Sequence, residues 1–285
     1  MRYFYKVLAI IIIIIIGLTD CSGQDENSFV DINGKRQHIR VKGTGKPTIV
    51  FVTGLSEQLT NFDSIQNEMS KATRTFSYDR AGLGKSEAIP VERSIDNMAQ
   101  ELELLLLKSS IKPPYLLVGH SLGGMIIRYY NYLYPDKVAG LILIDPASEK
   151  YDDEVRKGLD PKEIRKIDSL DYVLVPWTRD ERVPISIRSE YQNFKTTDKE
   201  LIKNTKFPVD KPVTVISSSR YSDIEKKEQL SQREVDIWVK LHNDWKKEAP
   251  QIRHIMTEKS GHYIHNEEPE LIIKEIRLML DRITK

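Results

Sequence analysis

The chain has 285 residues, 40% hydrophobic and 30% charged, with a formal net charge of +1. That length holds one large α/β domain or two small ones, and the near-neutral balance, without a dense Lys/Arg stripe, argues against a nucleic-acid surface. A single cysteine, Cys21, excludes an internal disulfide, and no Cys-X-X-Cys or His-rich cluster offers a structural metal site.

The N-terminus is a different material from the rest. Met1, Arg2 and Lys6 precede an unbroken apolar run, Val7 to Ile16, followed by Gly17-Leu18-Thr19-Asp20-Cys21-Ser22. A basic start and a short apolar core are the layout of a secretory signal, and the run is shorter than the about 20 residues that span a bilayer. A cysteine just behind such a core resembles a bacterial lipoprotein signal, in which Cys21 is lipidated and becomes the first mature residue. Leu18 fits that pattern; Asp20 stands where a small residue is usual. We read 1–21 as a leader, 22–28 as a polar tether and 29–285 as the folded domain. The expected location is the cell envelope, membrane-anchored through Cys21, or else periplasmic or secreted; an uncleaved anchor is the alternative.

Phe29 to Ile32 and Gln37 to Val41 alternate apolar and polar residues about Asn33-Gly34, a hairpin signal. Pro47 to Val52 is a continuous apolar strand that ends at Thr53-Gly54-Leu55. Asn61 to Lys71 is weakly helical. Thr75 to Tyr78 is a strand running into Asp79-Arg80-Ala81-Gly82-Leu83-Gly84-Lys85-Ser86, a structural turn in which Arg80 reads as scaffold. The spacing of Met98, Leu102, Leu105 and Leu106 predicts a helix over 94–109 with Ser94 as its N-cap. Tyr115 to Val118 is a buried strand and Met125 to Tyr134 a helix, with Gly119-His120-Ser121-Leu122-Gly123-Gly124 between them. A strand becomes a helix this abruptly only where flanking residues lack side chains. Such a turn strains Ser121 and presents its hydroxyl at the sheet edge, beside the unpaired N–H groups of a helix start. Gly124 is expected where that helix packs close to the sheet.

Val138 to Ile144 is a further strand, closing at Asp145-Pro146. From 147 to 211 the pattern becomes highly charged, with short helical pieces, and reads as an inserted cap. Its apolar patch, Tyr172 to Trp177, either lines an acyl pocket or packs the cap onto the body. Pro212 to Ser217 resumes the sheet. A helix over 225–247 follows, with Leu230, Ile237, Trp238, Leu241 and Trp245 as packing residues, then a strand over 252–257. A terminal helix begins near Asn266. Strands alternating with helices make a mostly parallel sheet covered on both faces, with an antiparallel N-terminal hairpin.

The Gly119–Gly124 turn, Tyr78–Ser86, Ile144-Asp145-Pro146 and Gly261-His262 together resemble the serine α/β-hydrolases over nearly everything after the leader. The resemblance implies a nucleophile, acid and base in that chain order. Ser121 is then the nucleophile and His262 the base. Of the other histidines, His38, His242 and His254 lie in a hairpin, a helix and a strand, His120 sits inside the turn, and His265 bonds within its loop or caps the terminal helix. The acid is Asp145, at a strand end that holds a carboxylate rigidly, or Asp223, in the loop after the next strand. The backbone N–H groups of Leu122 and Leu55 would form the oxyanion hole. Relatives mostly carry His-Gly where this chain has Thr53-Gly54. The implied activity is carboxylesterase-like cleavage of a small-molecule acyl substrate, with no metal or cofactor. An amidase or peptidase, or a non-catalytic ligand binder, are the alternatives.

Overall fold

The computed structural model describes residues 26–220 and 231–285. Eight strands form one sheet: β1 (Glu26–Ile32), β2 (Lys35–Lys42), β3 (Thr48–Val52), β4 (Thr75–Tyr78), β5 (Tyr115–His120), β6 (Val138–Ile144), β7 (Val213–Ser218) and β8 (Arg253–Thr257). Their spatial order is β1-β2-β4-β3-β5-β6-β7-β8. The leading hairpin turns through Asn33 and Gly34, both at positive φ (54° and 79°), as a two-residue type I′ turn requires. β2 runs antiparallel to β1 and β4, and every pair from β4 to β8 is parallel.

Helices α1 (Asp63–Met69), α2 (Ile95–Lys108) and α3 (Leu122–Leu133) connect the first parallel strands, and α10 (Pro269–Ile283) closes the chain. Side chains sort by the two-residue period of the strands. Val50, Val52, Leu117, Leu141 and Leu143 join the core shared with α2 and α3; Ile49, Phe51, Leu116, Val118, Ile142 and Ile144 join the opposite core with α1 and α10. Burying each contributes about 1.5–3 kcal/mol. Both faces are covered, so these strands are apolar throughout rather than alternating.

Local details depart from the sequence expectation for identifiable reasons. α3 begins at Leu122, not Met125, because Ser121 is itself its N-cap residue. The C-terminal helix is broken into α9 (Ile264–Glu267) and α10, since Pro269 can open a helix at Glu268 but cannot continue one. Between them and β7, α8 (Gln232–Glu248) opens with a capping box made by Ser231 and Glu234; its expected start at 225, and Leu230, lie outside the described residues. Between β6 and β7 the chain forms α4 (Tyr151–Arg156), α5 (Pro161–Leu174), α6 (Ile185–Lys195) and α7 (Thr197–Lys203). Among the described residues no helix is long and apolar enough to cross a membrane; the leader and Cys21 lie outside them.

One topological feature positions the site. The strand order reverses at β3, with β4 on one side and β5 on the other. Loops leaving the carboxyl ends of β3 and β5 therefore diverge, and a crevice opens between them. Thr53-Gly54-Leu55 leaves β3 there, and Ser121 leaves β5.

Candidate active site

Ser121 sits at φ 50° and ψ −118°, a conformation that costs a non-glycine residue energy and persists only when its surroundings impose it. Three contacts do so. Its N–H donates to Ile144 O at 3.1 Å, and its carbonyl accepts from Gly124 N at 2.9 Å and from Ala147 N at 3.0 Å. The turn is clamped to the end of β6 as well as to its own helix. Glycine at 123 is a packing requirement, because a Cβ there would lie 2.1 Å from Val52 O. Gly124 has a different reason from the one expected: its Cβ would meet Pro146 Cβ at 2.6 Å, so the close approach is to the turn after β6.

Asp145, one residue beyond β6, is also at positive φ (38°) and is 3% exposed. Its backbone N–H donates to Ile216 O at 2.7 Å. Its Oδ1 accepts from Ser218 N at 3.0 Å, and its Oδ2 lies 2.6 Å from His262 Nδ1. A carboxylate only accepts, so His262 carries its proton on Nδ1 and leaves Nε2 as an acceptor. Asp223 lies outside the described residues.

The remaining histidines are engaged elsewhere. His38 pairs with Asp79 at 2.7 Å. His242 spans Ser217 Oγ and Pro146 O. His254 spans Ser217 Oγ and Asn243 Oδ1, and burial pushes it down to about 4. His265 is neither a loop residue nor a helix cap. It lies in α9, fully buried, with Nε2 3.0 Å from Glu57 Oε1.

Arg80 supports the loop after β3. Its Nη1 donates to Thr53 O at 2.7 Å and to Thr53 Oγ1 at 3.0 Å, and its Nη2 donates to Gly54 O at 2.6 Å. Glu190 of α6 closes the other side of the guanidinium at 2.7 and 2.9 Å. Thr53 is thus an acceptor for Arg80 through both its carbonyl and its hydroxyl. A trans peptide holds its C=O and N–H antiparallel, so the bond to Gly54 O turns the Leu55 N–H away from Arg80. Glu57 takes the opposite side of the loop. It accepts from Gly54 N and lies 2.8 Å from His120 Nδ1. Burial raises its pKa, but the two imidazoles outweigh burial and hold the carboxyl well below the usual range.

Among the described residues, Glu57, His120 and His265 are the one set whose donor atoms, all within 4.8 Å of one another, approach metal-ligand spacing. The carboxylate–imidazole separations of 2.8 and 3.0 Å are hydrogen-bond lengths. Donors held tetrahedrally at about 2.0–2.2 Å from a metal stand about 3.3–3.6 Å from one another, farther than these pairs, so the set is a hydrogen-bonded cluster.

Ser121, His262, Leu55, Glu57 and His120 line one cavity of about 250 Å³, under Tyr151 and Asp152 of α4, Phe194 and Lys195 of α6 and Lys199 of α7. A second cavity of about 280 Å³ shares His262, Phe194 and Trp238 with the first and adds Asp145, Val155, Ile167 and Val235. Trp238, expected only to pack, is half-buried and stands edge-on to His262, ring centroids 5.7 Å apart. Trp245 is a core residue. In the Tyr172–Trp177 stretch, Tyr172 is exposed beneath Arg179 and Trp177 packs on Tyr191; neither lines these cavities. Phe194, Glu190 and Glu57 were not singled out from the sequence, where an isolated phenylalanine or glutamate in a charged stretch carries no signal.

Residues 47–175 match the model of the family described as alpha/beta hydrolase fold. A Bacillus subtilis (strain 168) protein, YqjL, itself uncharacterized, is 28% identical over 231 residues, covering 81% of this chain and 82% of its own. Among solved structures, the epoxide hydrolase CorEH superposes with a TM-score of 0.65 at 19% identity, over 90% of this chain and 98% of its own. A thermophilic esterase from Thermogutta terrifontis gives 0.62 at 17% identity, over 90% and 97%. The chain thus has the α/β-hydrolase fold, and residues 47–175 match that family's model.

Proposed function

We propose that this protein is a serine hydrolase that cleaves a carboxylic ester, thioester or amide through an acyl-serine intermediate, with esters as its main substrates. One observation carries the reading: the strained Ser121 and the Asp145-bonded His262 face a single cavity at the switch point of the sheet. A serine hydroxyl is a weak nucleophile until a base removes its proton. Asp145 holds the His262 proton on Nδ1, so Nε2 accepts the proton of Ser121 as Oγ bonds to the substrate carbonyl carbon. The oxygen gains the negative charge and is met by the N–H groups of Leu122, at the positive end of α3, and of Leu55. When the tetrahedral species collapses, the leaving alcohol, thiol or amine takes the proton from Nε2. Water then repeats the sequence and releases the acid. The scheme uses no metal or cofactor.

The apolar lining contributed by Val155, Ile167, Phe194, Val235 and Trp238 favours a hydrocarbon acyl or alcohol group. Both cavities lie at the small end of ligand sites, which begin at about 300 Å³, so short and medium chains fit best. A fluorophosphonate probe should label the wild type and not Ser121→Ala. Absence of label on folded wild type would instead favour a non-catalytic binder, and faster cleavage of anilides than of p-nitrophenyl esters would favour an amidase. On the leader sequence we also infer an exported protein tethered through Cys21. Labelled palmitate should enter the wild type and not Cys21→Ser.

A further inference from the structure

The acyl-transfer scheme leaves a second buried carboxylate–histidine set without a task. Glu57, His120 and His265 are 7%, 1% and 0% exposed. His120 immediately precedes the nucleophile, and its two ring nitrogens have unlike partners of the same kind. Nε2 lies 3.0 Å from the carbonyl oxygen of His262, and Nδ1 lies 2.8 Å from Glu57 Oε2. A carbonyl oxygen only accepts, so Nε2 bears a hydrogen. An ionised carboxylate also only accepts, and a neutral imidazole would then turn a bare lone pair at it. Two buried acceptors in contact are unfavourable. The 2.8 Å contact is a hydrogen bond only if one further proton lies between Nδ1 and Oε2.

The same carboxylate bonds to three separate segments around the site. Oε2 also accepts from Gly54 N, one residue before Leu55, and Oε1 accepts from His265 Nε2. Through His120 the chain of bonds continues to the backbone of His262. The loop after β3, the nucleophile turn and the base loop, far apart in sequence, thus meet on one side chain.

We propose that Glu57 is a positioning residue for acyl transfer, fixing the Leu55 loop, Ser121 and His262 relative to one another through a proton it holds in common with His120. The inference rests on the serine-hydrolase reading for its consequence, not for its proton count. Glu57→Gln tests it, because an amide offers one acceptor oxygen to three donors and cannot share that proton. A 1 Å misplacement of reacting groups costs up to about 100-fold in rate. The variant should therefore lose roughly 10- to 100-fold in kcat on p-nitrophenyl butyrate, with KM within about threefold, the split expected when bound geometry and not affinity is disturbed.

The proton itself is read separately from ¹⁵N-histidine NMR spectra of the wild type at pH 7, with His120 assigned by its loss in His120→Gln. Both His120 nitrogens should be hydrogen-bonded through protons, and in Glu57→Gln one should become bare. A singly protonated His120 in the wild type would overturn the proposal, as would wild-type kcat in Glu57→Gln. So would a stoichiometric metal in the purified protein whose removal shifts the His120 signals. If Glu57→Gln does not fold, the wild-type spectrum alone decides. Failure of Ser121 to take a fluorophosphonate would defeat the hydrolase reading without touching the proton count.

Discussion

Replacing Asp145 with asparagine changes one oxygen into an NH₂ and nothing in shape. The buried bond from Ser218 N to Oδ1, at 3.0 Å, is kept only if the amide oxygen takes the Oδ1 place. The NH₂ then sits where Oδ2 stood, 2.6 Å from His262 Nδ1. Nδ1 must accept, the ring proton moves to Nε2, and the nitrogen that should take the Ser121 proton is already occupied. Restoring the useful tautomer means flipping the amide, which loses the Ser218 bond and sets donor against donor, at about 1–3 kcal/mol. The imidazolium formed during attack also loses a carboxylate partner, worth about 4 kcal/mol at an effective dielectric of about 20. Together these are about 5–7 kcal/mol, or about 10⁴-fold or more in rate, comparable with the roughly 10⁴-fold loss when a serine protease suffers the same tautomer change.

For Asp145→Asn we therefore expect kcat on p-nitrophenyl butyrate to fall about 10⁴-fold, with KM within a few-fold and the melting temperature little changed. Fluorophosphonate labelling should slow in parallel. Asp223→Asn should remain near wild type. An Asp145→Asn enzyme within tenfold of wild-type kcat would refute the reasoning, and a collapse of Asp223→Asn instead would move the acid to the other position.

Three further outcomes follow from packing and burial. Gly123→Ala forces a methyl to within 2.1 Å of Val52 O on the central strand; overpacking costs about 1–3 kcal/mol or more, so the melting temperature should drop by at least about 2 °C, and an unchanged value would contradict the packing argument. Trp238→Ala should enlarge the cavity beside His262 and shift the best p-nitrophenyl ester to a longer acyl chain; an unchanged chain-length profile would remove Trp238 from the substrate site. Burial pushes the Asp198 carboxyl up to about 7 from its ordinary value of 3.8, with Glu190 adding to the effect, while its Oδ1 accepts from Ile95 N. Between those values the folded state binds the proton and the unfolded state has released it, so this contribution to stability is full below about pH 4 and lost as pH rises through about 7. Asp198→Asn should gain stability relative to wild type in denaturant titrations at pH 8 and not at pH 4; equal differences at the two values would sink the assignment.

Much of the architecture was legible because it depends on short-range rules. Runs such as Ile49 to Val52 and Leu141 to Ile144 are apolar at every position only when covered on both faces, and they appear within the central strands. Asn33-Gly34 carries its own backbone preference, so the hairpin needed no distant partner. The glycines around Ser121 announce a tight turn because nothing larger fits there. Boundaries were less legible where one residue served two elements, as Ser121 does in capping α3.

What the chain by itself determined is therefore the order of its strands and helices, the turn at Ser121 and the histidine that follows the last strand. Only the tertiary structure decided which carboxylate stands beside His262, what holds the Leu55 loop, and which side chains line the cavity. Asp145 contacts a histidine 117 residues away, Arg80 a glutamate 110 away, and Glu57 two histidines 63 and 208 away. The physical reason is that a turn or strand preference is paid within a few residues, whereas a buried hydrogen bond is settled only when folding removes water from both partners at once.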